Sequence, residues 1–398
     1  MLRLYSESSL DKLYQYLILS LAFFFPLSVA IGNLIIAIIV ILWLVSGNYK
    51  EKFLKISNNR LALLSIAFFV VHLVGLLWTD DLSWGFVILK KMWDFLLLFP
   101  ILLTITRKQN VPQFINSFLL SMFVTIITSL MVWLELIDPI MKASVENPSV
   151  TMSTISYNVY LAIASYIVLY RLLFEHPENY LKFFYILFTS IVIFDLFITG
   201  GRAGQALFIF LLGLIIFQFF KYKILKSSIT LIILSSLIFG LAYENSTTFN
   251  KRTNETIDNF DYRELKNTSL GQRYTYFFNS IELIKLNPIL GVGTGDFPKE
   301  YSIIHSKNSP SITQTVNPHN MYLLVIAQLG FLGLVSMLSI FLYQLKCAIK
   351  SQDFARNFGL ALPLGFLLIM VSDSYLLGHF TTILYVFFSS MVYQLQYR

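Results

Sequence analysis

The sequence predicts an all-α, polytopic membrane protein with about twelve transmembrane helices and one long loop outside the membrane. Of its 398 residues, 56% are hydrophobic and only 13% are charged, whereas soluble domains carry roughly a quarter charged residues. Apolar runs recur between short polar breaks, and many have the length of about 20 residues that a helix needs to cross a bilayer. Lysines and arginines also concentrate in alternate connections between these runs.

Twelve apolar runs are predicted to span the membrane. They place transmembrane helices 1 to 9 in residues 1–243, a partly helical loop in 244–317, and transmembrane helices 10 to 12 in 318–398. Two runs are weak, because the second is short and the fourth contains three charged residues. The predicted spans are 13–31, 33–47, 60–78, 84–104, 112–136, 154–174, 181–199, 202–220, 226–243, 318–346, 357–376 and 379–396.

The distribution of positive charge sets the predicted orientation. Lys and Arg accumulate in short cytoplasmic loops of membrane proteins, and an arrangement with both termini in the cytoplasm places more than half of the 29 such residues there. Most of the others lie in the loop at 244–317, whose length exempts it from this rule. The net charge of +7 is therefore explained by membrane topology, and no nucleic-acid partner is expected. The single cysteine, Cys347, excludes a disulfide within the chain.

Arg202 opens the eighth predicted span, directly after two glycines in the stretch "TGGRAG". A helix N-terminus presents unpaired N–H groups and a partial positive charge, and small residues beside it let a phosphate approach the backbone. Arginine adds a planar fork of donors that matches phosphate geometry. Arg202 and Gly201 are therefore candidates for binding a phosphate group. The alternative is a tight outer hairpin whose arginine reaches to the lipid headgroups.

Lys90 and Lys91 lie inside the fourth span, about two turns from its outer end. Charged residues within a span are costly, and they face protein or a water-filled cavity. Asp94 follows at helical spacing and is expected to pair with one of the two lysines. The other lysine is then available to an anionic ligand that enters from outside.

The loop at 244–317 contains a predicted amphipathic helix, from Arg273 to Leu286, and a glycine-rich turn. The apolar face of this helix is expected to contain Tyr274, Phe277, Phe278, Ile281 and Ile284. Arg273, at its head, is most simply a solvated charge. The "GVGTG" that follows at 291–295 is expected to form a turn with glycines at positive φ, because neither a βαβ context nor a following Gly-Lys-Ser/Thr supports a nucleotide-binding loop.

The tenth span begins with "NPHNMYLL". Asn317 suits an N-cap and Pro318 the first helical position, which places His319 in the first turn of the helix. The helix dipole disfavours a charged imidazole there, so His319 is predicted to be neutral and able to accept a proton. A structural role is the alternative for a single histidine at an interface.

Four acidic residues complete the set of candidates. Asp80 and Asp81 precede the fourth span and are expected to cap its helix rather than to bind a metal ion, because no second acidic cluster completes a site. Asp195 and Asp373 lie near the outer ends of spans, where either could pair with an arginine and support the site.

Four stretches in this order resemble the bacterial O-antigen ligase family: "TGGRAG", Arg273 followed by an aromatic residue, "NPILGVGTGDF" and "PHNMYLLVIAQLGFLGL". The family is part of a superfamily with O-antigen polymerases and bacterial protein O-oligosaccharyltransferases. The resemblance is best over residues 190–345, and the twelve-span layout extends it along the chain. It implies a GT-C-like glycosyltransferase of the bacterial inner membrane, with both termini in the cytoplasm and the active site facing the periplasm.

The resemblance also implies roles for three residues. Arg202 and Arg273 match arginines thought to hold a lipid-linked diphosphate, and His319 matches the histidine thought to serve catalysis. Relatives often have Ser-Arg at the hairpin, where this chain has Gly201 before the arginine, so a role of that hydroxyl is absent. The implied reaction needs no metal or cofactor. It moves a glycan from undecaprenyl diphosphate to a sugar hydroxyl of the lipid A-core in lipopolysaccharide biosynthesis, and direct attack by the acceptor implies inversion at the anomeric carbon.

Two other functions remain open. An O-antigen polymerase or a protein O-oligosaccharyltransferase would use the same lipid-linked donor with another acceptor, and the modest length of the loop at 244–317 favours the ligase. A transporter of lipid-linked glycans would need polar residues through the full membrane depth, whereas here they concentrate near the outer surface.

Overall fold

The computed structural model describes residues 7–141, 143–258 and 269–396. In these ranges the fold is built from seventeen α-helices and short 3₁₀ turns, with no β-strand. The α-helices are α1 (Glu7–Phe24), α2 (Val29–Val45), α3 (Tyr49–Ser57), α4 (Arg60–Val74), α5 (Leu82–Leu96), α6 (Leu98–Ile105), α7 (Val111–Trp133), α8 (Thr154–Phe174), α9 (Asn179–Ile198), α10 (Arg202–Phe219), α11 (Ile224–Asn245), α12 (Thr247–Asp258), α13 (Ser269–Leu286), α14 (Phe297–Asn308), α15 (Met321–Ile349), α16 (Asp353–Ile369) and α17 (His379–Gln396). The stretch predicted as a loop contains α12, α13 and α14, and its residues 259–268 lie outside the described part.

Among the described residues, seven helical segments are long and apolar enough to cross a membrane, as expected of a multi-pass membrane protein. They are Arg60–Trp78, Lys108–Trp133, Thr154–Phe174, Asn179–Ile198, Arg202–Phe219, Ile224–Asn245 and Met321–Ile349. An eighth arises if α2 and α3, which are bent by 115°, form one broken span. The other predicted spans coincide with α1, α5 with α6, α16 and α17. The total of twelve therefore stays a prediction.

The boundary predicted between the first two spans is wrong. α1 ends at Phe24 and α2 already begins at Val29, before the predicted break at residue 32. Pro26 has no N–H group to continue the helical hydrogen bonds. Ser28 then caps α2, since its Oγ accepts a hydrogen bond from Ile31 N at 3.3 Å. Because the residues on both sides of this break are apolar, the hydrophobic pattern of the sequence did not indicate it.

The fourth predicted span is divided into two helices. α5 ends at Leu96, and Leu97 leaves the helical path with φ −114° and ψ −63° before α6 begins. Pro100 explains the division, because its ring would collide with the carbonyl of Leu96, four residues earlier, in a continuous helix. Lys90 and Lys91 consequently lie on a short helix of their own.

α8 is the central helix of the bundle. In the most apolar stretch of α8, 72% of the residues are buried, compared with 6% in that of the peripheral α11. α10 packs closely on α8 because a Cβ atom on Gly201 would lie 2.4 Å from Nδ2 of Asn158, and one on Gly204 would lie 2.3 Å from its Cβ. Asn158 also donates a hydrogen bond to the carbonyl of Gly201 at 3.2 Å. These contacts fix the position at which α10 begins.

A loop at 287–296 approaches α15 at a kink. Gly330 interrupts α15 with φ 62° and ψ −159°, and a Cβ atom there would lie 2.0 Å from the carbonyl oxygen of Ile289. Only glycine therefore allows this approach. Gly291 and Gly293 have φ of 70° and 113°, which confirms the predicted turn with glycines at positive φ.

The same loop is tied to α4 and to the start of α5. Thr294 donates a hydrogen bond to the carbonyl of His72 at 2.7 Å. The carboxylate of Asp296 accepts one from the backbone N–H of Asp80 and one from that of Asp81, each at 2.8 Å. The loop thus connects α4, α5 and α15 at one end of the bundle.

α13 and α14 pack on the first turns of α15 through a small hydrophobic cluster, separate from the core of the bundle. Its buried members are Tyr276, Leu283, Phe297, Tyr301, Leu324 and Ala327. This cluster holds α13 beside the segment that leads into α15, where His319 lies.

Candidate active site

Two connecting segments meet where α15 begins and α16 ends. Residues 317–321 lead into α15, and residues 370–374 follow α16. Three hydrogen bonds join the two segments, from Met321 N to Met370 O at 2.8 Å, from Asn320 Nδ2 to Val371 O at 3.0 Å and from Ser374 Oγ to Asn317 Oδ1 at 2.8 Å. These backbone and side-chain hydrogen bonds together hold the two segments in a fixed relative position.

His319 in the first segment faces Asp373 in the second. His319 Nδ1 lies 3.3 Å from Asp373 Oδ1, and the two side chains are 34% and 16% exposed. A carboxylate at Nδ1 favours the tautomer that donates from Nδ1, which leaves Nε2 free to accept a proton. A partly exposed imidazole with an orienting carboxylate is an arrangement typical of a general base.

The predicted start of α15 is wrong. The helix begins at Met321 rather than at Pro318, and its N-cap is Asn320, whose Oδ1 accepts a hydrogen bond from the first turn at 3.0 Å. Asn317 instead accepts a hydrogen bond from His319 N at 3.0 Å. His319 lies outside the helix with φ 51°, so its neighbours rather than the helix dipole set its environment. Asn320 is the better cap because it can also donate to the segment after α16.

Asp373 lies in the segment that follows α16, outside the helices. Burial would raise the pKa of Asp373, but the hydrogen bond and charge of His319, helped by the N–H of Ser374 and the charge of Arg273, hold it below its ordinary value. Asp373 is therefore an ionised carboxylate near neutral pH. Arg273 lies near enough for its charge to act on Asp373, so the structure brings together three of the predicted site residues.

Arg273 is carried by α13, whose buried face differs from the predicted one. Tyr274, Phe277 and Phe278 of the predicted apolar face are exposed, whereas Tyr276 is buried. Tyr276 follows Arg273 at a spacing of three residues, so both lie on the same side of the helix. The ring of Tyr276 lies 6.1 Å from that of His319. Sequence analysis missed Tyr276, and its spacing from Arg273 was the signal that could have found it.

An open pocket of about 300 Å³ adjoins Asp373. Lys91 and Trp84 of α5 line this pocket, together with Asn317 and Ser374 from the two connecting segments. This volume is at the lower end of the roughly 300–1,000 Å³ of small-molecule sites. The structure thus associates Lys91 with the predicted histidine site.

Lys90 does not line that pocket. The pairing predicted between Asp94 and one of the lysines is also wrong, since neither lysine forms an ion pair with it in the described part of the chain. Asp94 is buried, and its Oδ1 has no hydrogen-bond partner among the described residues. The reason is geometric: Asp94 points into the bundle, whereas both lysines lie on exposed sides of α5.

Arg202 is exposed at the start of α10 and lines a second open cleft, of about 220 Å³. Arg252 of α12 lines the same cleft and donates a hydrogen bond to the carbonyl of Gly200. None of the residues that line this cleft also lines the pocket beside Asp373. Sequence analysis missed Arg252, which lies in a polar helix with no motif around it. Arg202 and Lys91 therefore line two separate clefts.

Gly201 has a packing role that differs from the predicted one. It is buried, and the space where its side chain would lie is filled by Asn158. Glycine is therefore required here by the contact between α8 and α10, and the structure offers no open surface at Gly201 for the close approach of a phosphate.

Within the described part of the chain, Asp195 forms no ion pair with an arginine. It is buried in the bundle, where its carboxylate accepts hydrogen bonds from Ser129 Oγ at 2.6 Å and from the hydroxyl of Tyr157. Its partners join α7, α8 and α9, so its role is to connect helices. The sequence around Asp195 did not indicate which hydroxyl groups would contact its carboxylate in the fold.

Asp81 and Asp80 are engaged within the protein. Asp81 Oδ1 accepts a hydrogen bond from Trp84 N at 2.9 Å, which confirms that it caps α5. Asp80 forms an ion pair with Lys299 of α14 at 2.7 Å, and this lysine lowers the pKa of Asp80. The carboxylate of Asp81 thus fixes the start of α5, and that of Asp80 connects the residues before α5 to α14.

The model of the O-antigen ligase family matches residues 186–338. The predicted resemblance is therefore confirmed over this range, which contains Arg202, Arg273 and His319 but ends before Asp373 and begins after Lys91. No curated protein matches the chain.

Proposed function

From the O-antigen ligase family match over residues 186–338, we propose that the protein is an O-antigen ligase. It would transfer a glycan from undecaprenyl diphosphate to a sugar hydroxyl of the lipid A-core at the periplasmic face of the bacterial inner membrane, with both termini in the cytoplasm. The observation that carries the proposal is the pair of His319 and Asp373 beside Arg273, with an open pocket next to it. A base, a cation and a substrate space are the elements that this reaction requires.

In the proposed mechanism, Nε2 of His319 takes the proton from the acceptor hydroxyl. The oxygen attacks the anomeric carbon while the bond from that carbon to the diphosphate oxygen breaks, so the configuration inverts. Asp373 holds the imidazole in the required tautomer and stabilises the imidazolium that forms. The 3.3 Å distance between His319 and Asp373 supports this division of roles.

The diphosphate that leaves would be stabilised by cations of the protein. Arginine suits this role because its fork of donors can hold phosphate oxygens in pairs. We assign Arg273, Arg202 and Lys91 to the donor, with Arg252 lining the same cleft as Arg202. Lys90 is left out, because it does not line the pocket beside Asp373.

The reaction is proposed to be independent of metal ions. Support comes from Asp80 and Asp81, the carboxylates considered as metal ligands, because Asp81 caps a helix and Asp80 is paired with Lys299. Excess EDTA should leave the rate of transfer by purified protein unchanged. Loss of activity that magnesium or manganese restores would contradict this part of the proposal and would make Asp80 or Asp81 a ligand.

An O-antigen polymerase or a protein O-oligosaccharyltransferase is the second candidate. Either would share the base and the cations and differ in the acceptor. The lipopolysaccharide of a knockout strain separates the three. Core without polymer indicates the ligase, a ladder limited to single repeat units indicates the polymerase, and unchanged lipopolysaccharide with unglycosylated protein indicates the oligosaccharyltransferase. The first result is expected, and a strain in which lipopolysaccharide and glycoprotein are both normal would contradict the family-based proposal.

A further inference from the structure

The aromatic ring of Tyr276 lies against the imidazole of His319. The centroids of the two rings are 6.1 Å apart and their planes differ by 26°, which is the offset, nearly parallel geometry of a stacked pair. Tyr276 is only 5% exposed, and burial raises the pKa of its hydroxyl. The ring is therefore neutral and shielded from water.

Tyr276 is itself held from two other directions. Its hydroxyl donates a hydrogen bond to the carbonyl of Thr313 at 3.0 Å, in the segment that leads to His319. Its ring meets that of Tyr301 edge-on, at 6.4 Å and 78°, and Tyr301 is stacked on Phe297 at 5.2 Å. Because α13 and α14 fix the ring in this way, the position of Tyr276 does not depend on His319.

The contact between the rings of Tyr276 and His319 matters for the proposed proton transfer. When His319 accepts a proton, its ring becomes a cation, and the face of an aromatic ring attracts a cation. Asp373 lies at Nδ1 of the imidazole, Arg273 on α13 lies near enough for its charge to act on that carboxylate, and Lys91 lines the adjoining pocket. The carboxylate of Asp373 and the face of the Tyr276 ring therefore both lie beside the group on which the positive charge forms.

We propose that Tyr276 is a positioning residue for His319, which holds the plane of the imidazole toward the acceptor and stabilises its protonated form during transfer. This inference rests on the proposed role of His319 as the base. The proton passes from the acceptor hydroxyl to Nε2 as the new glycosidic bond forms and the bond to diphosphate breaks, and His319 later returns it to water. The ring of Tyr276 takes no part in any bond that changes.

Two substitutions distinguish the contribution of the Tyr276 ring from that of its hydroxyl group. Tyr276→Phe keeps the aromatic face, and its turnover should stay within about threefold of the wild type. Tyr276→Leu removes the face, so kcat should fall on the order of tenfold with the KM for the lipid-linked donor unchanged. Phe277→Leu is the matched control, since Phe277 is an aromatic residue of the same helix but is exposed. Equal losses in the Phe and Leu variants would overturn the inference, because the hydroxyl would then be the important group.

A titration gives a readout that does not depend on transfer. The imidazole of His319 can be followed by NMR in protein labelled at histidine, with the signal assigned by its absence in His319→Gln. The titration midpoint in Tyr276→Leu should move about half a pH unit lower than in wild type, as expected from the loss of the attraction between ring and cation, and should be unchanged in Phe277→Leu. An unchanged midpoint in Tyr276→Leu would refute the inference. A shifted midpoint in a protein that transfers no glycan would instead count against the proposed function alone.

Discussion

His319 Nδ1 lies 3.3 Å from Asp373 Oδ1, although the two residues are 54 positions apart in the chain. Asp373 engages Nδ1 of the imidazole, and it is Asp373 that also lines the adjoining pocket. The pair depends on the hydrogen bonds between segments 317–321 and 370–374, so its geometry belongs to the fold and does not need a ligand to form.

Removal of the base should abolish transfer without loss of donor binding. His319→Ala should lower the rate by about 10²–10⁴-fold, the usual contribution of a general base. Asp373→Asn keeps the shape but loses the charge, and its rate should fall by up to about 10⁴-fold, as for other carboxylates that orient a histidine base. Transfer by purified protein checks both, with the exposed His176→Ala as the control. A rate for His319→Ala within threefold of wild type would exclude His319 as the base.

Stability should depend on pH through Asp373. Because the folded protein lowers the pKa of this carboxyl, Asp373 stabilises the fold above the unfolded value of about 4, and the stabilisation is lost as the pH falls through the lower folded-state pKa. The melting temperature of the wild type in detergent should therefore drop more steeply below about pH 4 than that of Asp373→Asn. Parallel melting curves for the two proteins would show that the carboxylate is not stabilised in the fold.

Substitution of Arg202 distinguishes an arginine that binds the diphosphate from one that only reaches to the lipid headgroups. Lysine supplies charge without the planar fork, and a lost charged hydrogen bond costs about 1.5–3 kcal/mol, or roughly 10–150-fold. Arg202→Lys should therefore lose much of the activity and Arg202→Ala nearly all of it. Transfer at matched membrane levels is the measurement, with Arg356→Lys as the control. Near-wild-type transfer by Arg202→Lys would support the headgroup interpretation.

Neighbouring lysines on α5 provide a matched pair. Lys91 lines the pocket beside Asp373 and Lys90 does not, although both are exposed. Lys91→Gln should reduce kcat/KM for the lipid-linked donor by about tenfold or more, as expected for one lost charged contact, whereas Lys90→Gln should stay near wild type. Steady-state kinetics in proteoliposomes would measure both. An equal effect of the two substitutions would indicate a general effect of surface charge.

Gly201 should be sensitive for reasons of packing. A methyl group there would meet the side chain of Asn158 at 2.4 Å, and overpacking of this kind costs about 1–3 kcal/mol. Gly201→Ala and, more strongly, Gly201→Val should lower the melting temperature and the amount of folded protein. Gly240→Ala is the control, since a Cβ atom there has no neighbour within 4 Å. Normal stability of Gly201→Val with a selective loss of donor binding would restore the role of Gly201 in binding phosphate.

Much of the helical layout was predictable because local signals and hydrophobicity agree. The predicted span 154–174 coincides with α8, where Ser153 accepts a hydrogen bond from Ser156 N as the N-cap. The predicted start at Arg202 coincides with α10. The break at Pro26 was missed because hydrophobicity averaged over a window is insensitive to a single residue without an N–H group.

The candidate site was only partly predictable, because its contacts join distant parts of the chain. A phosphate role for Gly201 and a pairing of Asp195 with arginine were plausible locally, but Asn158, Ser129 and Tyr157 occupy those positions in the fold. The choice of Lys91 over Lys90 likewise depends on which side of α5 faces the pocket. A sequence pattern indicates which residue types form a site, but only the tertiary structure shows which residues contact each of them.

The join between segments 317–321 and 370–374 has a consequence for biogenesis. Chains are made from the N-terminus, so His319 leaves the ribosome long before Asp373. A nascent chain that stops after α15 already contains the arginines assigned to the donor but has no oriented base. Under the proposed roles, efficient transfer would therefore begin only after the segment that follows α16 has joined the segment that leads into α15.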